Sequence, residues 1–511
     1  MKRYIFIYGF AIVVVEPEFK KNWSGNRLNH VKIYVISKKV HRHYFHIIVS
    51  LRRKLIRHCH YQLICLAMYR EPKVNTAYVT GISFISAMGG YLFGFDFAVI
   101  SGALPFLQKE FNLNAYWEGF ATGSLALGAI AGCLLAGVVS GKYGRKPGLL
   151  LAAVIFILSS LAMAFAPGRD FFIASRFAAG IGVGMASMLS PMYIAEVSPA
   201  HFRGRMVAIN QLTIVIGILV TNLVNYSLRN QGVDAWRWMF GLGSIPSALF
   251  FAGSLWLPES PRWLVRAGKK DRASAVLSRI GGSDYAANTL GSIEASFTGE
   301  GRFDYRSVFH SAVLPAVLIG IGLAVFQQLC GINVVFNYTT KIFASIGASQ
   351  DDQLLQTVFI GGVNLLFTLL AMLLVDKLGR KPLMLIGAGG LALLYLVVVQ
   401  MLATGSQDVS WFLLAAIGTY AMSLAPVTWV LIAEIFPNRI RSAATTIAVL
   451  CLWLAYFILI FTFPILFDEL ADNTFYIYSA ICIIGFAFVW FRVKETKGKS
   501  LEEMEGVFQS H

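Results

Sequence analysis

Twelve long apolar runs, separated by short polar breaks, fill the sequence from Ala77 onward and leave few folds open to it. They lie at about 77–98, 118–140, 148–167, 172–195, 207–228, 238–257, 312–343, 354–375, 382–404, 410–433, 443–467 and 473–492. Most reach the roughly 20 residues that a helix needs to cross the hydrocarbon core of a bilayer. Continuous apolar runs, not period-2 alternation, fill them, which selects helices over a membrane β-barrel. Only 14% of residues are charged, against about 25% in ordinary soluble domains, so a soluble globular fold is excluded. The expected fold is an all-α membrane protein.

Where the charge sits decides what it means. Of a formal net charge of +16, residues 1–67 account for +11, with 13 Lys/Arg against Glu16 and Glu18. Their best apolar run, Ile5 to Val15, is too short to span a bilayer. No small-residue cleavage site follows it, as a signal peptide would require. We read 1–67 as a basic extension outside the working protein, with Met68 as the natural start. The cluster His41, His43, His46, His58, Cys59 and His60 fits no standard metal-ligand spacing, and no metal site is assigned. Among the spans, loops after even-numbered runs carry 18 Lys/Arg and loops after odd-numbered runs carry five. The positive-inside rule then puts both termini and the long segment 258–311 in the cytoplasm of a multi-pass protein of the cell (inner) membrane. With the excess basic charge explained by topology, a nucleic-acid partner drops out.

The sequence also repeats itself. Gly144-Arg145-Lys146-Pro147 recurs as Gly379-Arg380-Lys381-Pro382, and Ile194-Ala195-Glu196 recurs as Ile432-Ala433-Glu434. In each half an Arg follows the Glu by seven residues, Arg203 after Glu196 and Arg441 after Glu434. Parallel six-span halves are a transporter architecture with the substrate site between them. The expected layout is a first six-helix bundle over 68–257, linker helices over 258–311, a second bundle over 312–493, and a cytoplasmic tail over 494–511.

These motifs, in order, resemble the sugar porter family of the major facilitator superfamily, in its bacterial proton-coupled branch. Supporting matches are Gly94-Phe95-Asp96, Arg176, Pro191 to Glu196, Pro258 to Leu264, Gln327-Gln328, Gly331-Ile332-Asn333, Asp376 to Lys381, Glu434 to Pro437, and Glu495 to Gly498. The resemblance runs from about Val74 to Glu505, more than four-fifths of the chain.

Asp96 and Arg176 are the only formal charges well inside apolar spans. Each costs at least about 2.5–3.5 kcal/mol at mid-bilayer, so each should face the interior and find a partner. A static salt bridge between spans 1 and 4 is one reading. A switchable pair, in which a proton on Asp96 frees Arg176, is the other. The resemblance implies Asp at this position in proton symporters and Asn in many passive uniporters.

A sugar offers hydroxyls, and amides both donate to and accept from them. Gln211, Gln327, Gln328, Asn333 and Asn364 sit inside apolar spans, where unpaired amides are costly. Several amides within two helical turns at 327–333 exceed what interhelical packing requires. The resemblance places these five, and an aromatic wall at Trp453, in the substrate site. Phe93, one turn before Asp96, is a second candidate wall. Asn337 stands where an aromatic is usual and is a further candidate polar contact. Tyr456 stands where Asn is common, and Leu452 and Ile218 where many relatives have Gln. The resemblance also implies a cytoplasmic gate of Arg145, Glu196 and Arg203 in one half and Asp376, Arg380, Glu434 and Arg441 in the other. Gly141 replaces the usual Asp of the first half, which predicts a weaker latch there.

Gly180-x-Gly182-x-Gly184 lies inside span 4 with no preceding strand, so helix packing explains it better than phosphate binding. No Walker-type loop and no nucleophile–base constellation is found, and neither a cofactor nor an enzymatic activity is expected. The expected function is import of a monosaccharide with a proton, by a monomer in the bilayer. Facilitative uniport of a sugar or an inositol-like polyol is the first alternative. A non-transporting sugar receptor is the second, disfavoured by a tail of 18 residues after Val493.

Overall fold

The computed structural model describes residues 4–8, 11–22, 25–37, 74–200, 202–298, 313–436 and 440–497. The first three stretches are strands, β1 (Tyr4–Tyr8), β2 (Ala11–Asn22) and β3 (Gly25–Ser37), paired antiparallel in the order β1-β2-β3. No element was expected there. They form a unit separate from Lys73–His511. The histidine cluster lies outside the described residues.

The rest is helical. Span 1 is Thr76–Phe111, span 2 Ala115–Lys142, span 3 Arg145–Ala164, span 4 Arg169–Val197 and span 5 Arg203–Leu228. Span 6 is Ala235–Gly241 continued by Ser244–Trp256, and span 7 is Leu314–Leu329 continued by Ile332–Ser345. Spans 8 and 9 are Gln350–Leu378 and Arg380–Ala403; span 10 is Val409–Met422 continued by Leu424–Ile435. Spans 11 and 12 are Arg441–Leu470 and Thr474–Arg492. Each expected run falls in a helix long and apolar enough to cross a membrane, spans 11 and 12 together filling Ala443–Arg492.

Span 1 runs 36 residues, well past the apolar run that marked it. Asn75 caps its start by accepting from the Tyr78 N–H, and Asn112 ends it in the left-handed region at φ 47°. Such caps satisfy helix-end groups that hydropathy cannot sense. Between spans 6 and 7 lie the linker helices Pro261–Arg266 and Lys270–Thr298.

Within the first half, spans 2 and 4, 1 and 5, and 3 and 6 pack together; within the second, spans 7 and 11, 8 and 10, and 9 and 12 do. Between the halves, span 2 packs on span 11 and span 5 on span 8. These two cross-contacts are equivalents under the internal repeat. The glycines of span 4 are packing residues, as expected. A Cβ on Gly180 would lie 2.1 Å from the Leu125 carbonyl oxygen, and one on Gly184 2.1 Å from that of Ala129.

Candidate functional site

Span 7 is broken in its middle. Gly331 stands at φ 86°, a conformation that suits glycine, and the helix restarts at Ile332. The break separates Gln328 from Asn333 in the helix and brings their side chains together. Gln328 Nε2 donates to Gln327 Oε1 at 3.1 Å, and Asn333 Nδ2 donates to Gln328 Oε1. Asn337 Nδ2 donates to the Asn333 carbonyl at 2.7 Å, and its Oδ1 accepts from the Tyr456 hydroxyl at 3.2 Å. All four amides are buried. Four of the predicted residues thus form one polar chain.

Aromatic rings flank it. Phe93 meets Trp453 at 5.7 Å between centroids, and Trp453 meets Tyr456 edge-on at 5.8 Å. Phe97 touches Phe93, Phe336 and Tyr456, at 6.2, 5.7 and 5.7 Å. These rings come from spans 1, 7 and 11 and therefore from both halves. Trp453 is only 4% exposed, which rules out the lipid-interface role open to it from sequence. Phe97, Phe336 and Tyr456 were not among the predicted site residues. A signal was present for two of them: Phe97 follows Phe93 by four residues and Tyr456 follows Trp453 by three, the spacings of one helix face.

Gln211 is half-buried in span 5 and Asn364 is buried in span 8. Those spans meet where Asn222 Nδ2 donates to the Thr357 carbonyl at 2.7 Å. Among the described residues no hydrogen bond ties Gln211 or Asn364 to the amide chain.

Asp96, between Phe93 and Phe97 on span 1, is 2% exposed, and Arg176 is fully buried. The structure brings them together, without the static salt bridge that is one of the two readings of the pair. Arg176 Nη2 donates to the backbone carbonyl of Asp96 at 3.2 Å, and its guanidinium lies 5.7 Å from the Phe240 ring. Asp96 Oδ1, Arg176 Nε and Arg176 Nη1 are buried without hydrogen-bond partners. The carboxylate and the guanidinium are buried neighbours that make no hydrogen bond to each other, and the contact between the two residues runs through the Asp96 backbone.

At the end of the spans that carries the Gly-Arg-Lys turns, the two halves build the same cluster. Arg145 Nη2 pairs with Glu196 at 2.7 Å and Arg380 Nη2 with Glu434 at 3.2 Å. Glu259 accepts from the Arg145 N–H at 2.9 Å, and Glu495 from those of Arg380 and Lys381, both at 3.0 Å. Ser260 and Thr496 donate hydroxyls to Glu196 and Glu434. Lys146 and Lys381 reach back to the Leu255 and Trp490 carbonyls. Burial pushes the Glu259 carboxyl above its ordinary range despite its N–H donors and Arg145. At Glu495 burial acts the same way, but the N–H groups of Lys497, Arg380, Lys381 and Thr496 outweigh it and hold the carboxyl below that range.

The remaining expected gate residues stand differently. Arg203 is exposed and joins no ion pair among the described residues. Arg441 donates to the Phe436 carbonyl at 2.9 Å. The Asp376 side chain lies outside the described residues. Each cluster lies within its own half. At Gly141, where an Asp was missed, the carbonyl accepts from the Trp263 indole at 3.1 Å.

Two repeated helical bundles with a polar, aromatic-walled site between them define a membrane carrier. The chain belongs to the sugar transporter family: the family model described as Sugar (and other) transporter matches residues 82–508. It is 38% identical to the D-xylose-proton symporter of Escherichia coli over 86% of this chain and 97% of that protein. It is 40% identical to the glucose transport protein of Synechocystis over 85% and 98%. The inward-open structure of the E. coli xylose transporter XylE superposes with a TM-score of 0.75 at 37% identity, over 84% of this chain and all of that one. The protein is a sugar transporter of the membrane, not an enzyme.

Proposed function

We propose that this carrier imports a monosaccharide together with a proton by alternating access. The amide chain Gln327–Gln328–Asn333–Asn337, walled by Phe93 and Trp453, carries the reading. Neutral amides match the donor and acceptor pattern of hydroxyls, and ring faces cover the apolar side of a pyranose or furanose. Gln211 and Asn364 complete the site when the halves close on substrate. The proton site is Asp96, whose neighbours Phe93 and Phe97 belong to the same wall, so charge on Asp96 and sugar in the site act on the same part of span 1. Arg176 is its counter-charge in the states where the two side chains meet.

The similar proteins named for xylose and for glucose support a monosaccharide, and the name of the first supports a proton. We place the Gly-Arg-Lys turns and both termini on the cytoplasmic face of the cell membrane. There the paired Arg–Glu clusters, with Glu259 and Glu495 behind them, act as the gate. The test is uptake of a panel of pentoses, hexoses and polyols into proteoliposomes with and without an imposed pH gradient. Symport predicts accumulation only with the gradient; equal rates in both conditions would make the carrier a uniporter.

A further inference from the structure

The end of the bundle opposite the Gly-Arg-Lys turns holds a buried ion cluster that joins the two halves. Lys341, on the second segment of span 7, places Nζ 3.0 Å from Glu118 Oε2 of span 2 and 2.9 Å from Asp468 Oδ1 of span 11. Gln108 Nε2 adds a third contact, to Glu118 Oε2 at 2.9 Å. Glu118 belongs to the first half and is 2% exposed; Lys341 and Asp468 belong to the second, with Lys341 14% and Asp468 51% exposed. Glu118 Oε1 is buried with no hydrogen-bond partner. Among the described residues, Lys341 is the one cation that pairs with the buried Glu118 carboxylate. The neighbouring contacts also cross the interface: Phe120 and Tyr116 of span 2 meet Phe461 of span 11 at 6.3 and 5.3 Å. A second cross-half pair, Arg229 with Asp351 at 3.0 Å, is too exposed to weigh much.

We infer that Glu118 and Lys341 form the latch that holds the carrier shut at this end. The inference rests on the reading of the chain as an alternating-access carrier. A buried ion pair adds little over an apolar contact, yet removing one partner strands the other in low dielectric. The closed state is therefore strongly sensitive to the loss of Lys341 alone. Opening lets water reach Glu118. Lys341 does not lose all charge contact on opening, because Asp468 stays in its own half. The segment that carries it is articulated, with the break at Gly331 and a non-helical Tyr338 at φ −120° and ψ 23°. The latch exchanges one carboxylate for solvent and keeps the other.

Spin labels at Val233 and Ala403, exposed positions near this end in the two halves, report its width by double electron–electron resonance on the full-length protein with its native cysteines replaced. Lys341→Met should raise the ratio of the long to the short distance on the order of tenfold or more. Glu118→Gln combined with Lys341→Met removes both charges and should bring the ratio back to within about threefold of the parent, by the same logic. If Lys341→Met does not fold, Lys341→Gln, which strands Glu118 in the same way behind a polar side chain, should open this end instead. A distance distribution unchanged in the single variants, or a double variant as open as Lys341→Met, would overturn the latch. The measurement needs no sugar flux, so a carrier that moved no sugar would refute the transport reading separately.

Discussion

Arg176 bonds to Asp96 through its backbone carbonyl, at 3.2 Å, and leaves its carboxylate unpaired. A bond to a carbonyl does not depend on whether the side chain carries a proton. In this conformation the carboxylate can gain or lose one without breaking what holds spans 1 and 4 together. Arg176→Gln, which keeps a donor for that carbonyl and removes the charge, should therefore spare sugar exchange across the membrane and lower gradient-driven accumulation on the order of tenfold, since a buried charge at this depth is worth a few kcal/mol to its partner. Counterflow and pH-driven uptake, measured on the same vesicles, separate the two effects.

Gln328 is the middle of the amide chain, donating to Gln327 and accepting from Asn333. Gln328→Ala strands both neighbours in a buried site, at about 1–3 kcal/mol. Sugar affinity should fall roughly tenfold to a hundredfold. Titration calorimetry on the detergent-solubilised protein reads the change directly, and an unaltered Kd would remove Gln328 from the site.

Asn337 and Tyr456, where the family resemblance implies an aromatic and an amide respectively, bond to each other at 3.2 Å. Each single exchange, Asn337→Tyr or Tyr456→Asn, breaks this bond and misfits its neighbours. The reciprocal double exchange should recover part of the loss, with a coupling of about 0.5–1.5 kcal/mol in thermal stability. Strict additivity would mean that the two positions are independent.

The paired carboxylates Glu259 and Glu495 predict opposite responses to pH. Glu495 is held below its ordinary value of 4.5, so the stability it contributes is present above that value and fades as pH falls through the lowered one. Glu259 is raised above 4.5, so its protonated form is favoured by folding, and that advantage is lost as pH rises through the raised value. Glu495→Gln should therefore lower the melting temperature at pH 7 and converge with the parent in acid. Glu259→Gln should be the milder change at pH 7. Melting curves of both variants between pH 4 and pH 8 check the signs; equal losses at pH 7 would contradict them.

Much of this was legible in the chain because lipid imposes one rule on every span. A run such as 354–375 has no partner for its backbone but itself, so hydropathy alone marks a helix there. The repeat of Gly144-Arg145-Lys146 at Gly379 likewise marked the two halves and the ends where Glu196 and Glu434 lie. What stayed hidden depends on three-dimensional placement. Phe336 is an ordinary apolar residue in an apolar span, and only its approach to Phe97 across the halves makes it a wall. Glu118 and Lys341 sit at the ends of spans, where hydropathy expects solvated charge, and only the fold shows that Glu118 is buried. The form of the Asp96–Arg176 contact was out of reach for the same reason: residue types specify that two charges must meet a partner, not which atom of Asp96 Arg176 will choose.

The central claim is that Asp96 couples proton movement to sugar movement. The direct test is uptake of the transported sugar into proteoliposomes by Asp96→Asn under an imposed inward proton gradient, with counterflow as the control for binding. Asp96→Asn should bind and exchange sugar while losing gradient-driven accumulation entirely. Accumulation against a concentration gradient by the Asn variant at the parent's level would contradict the account.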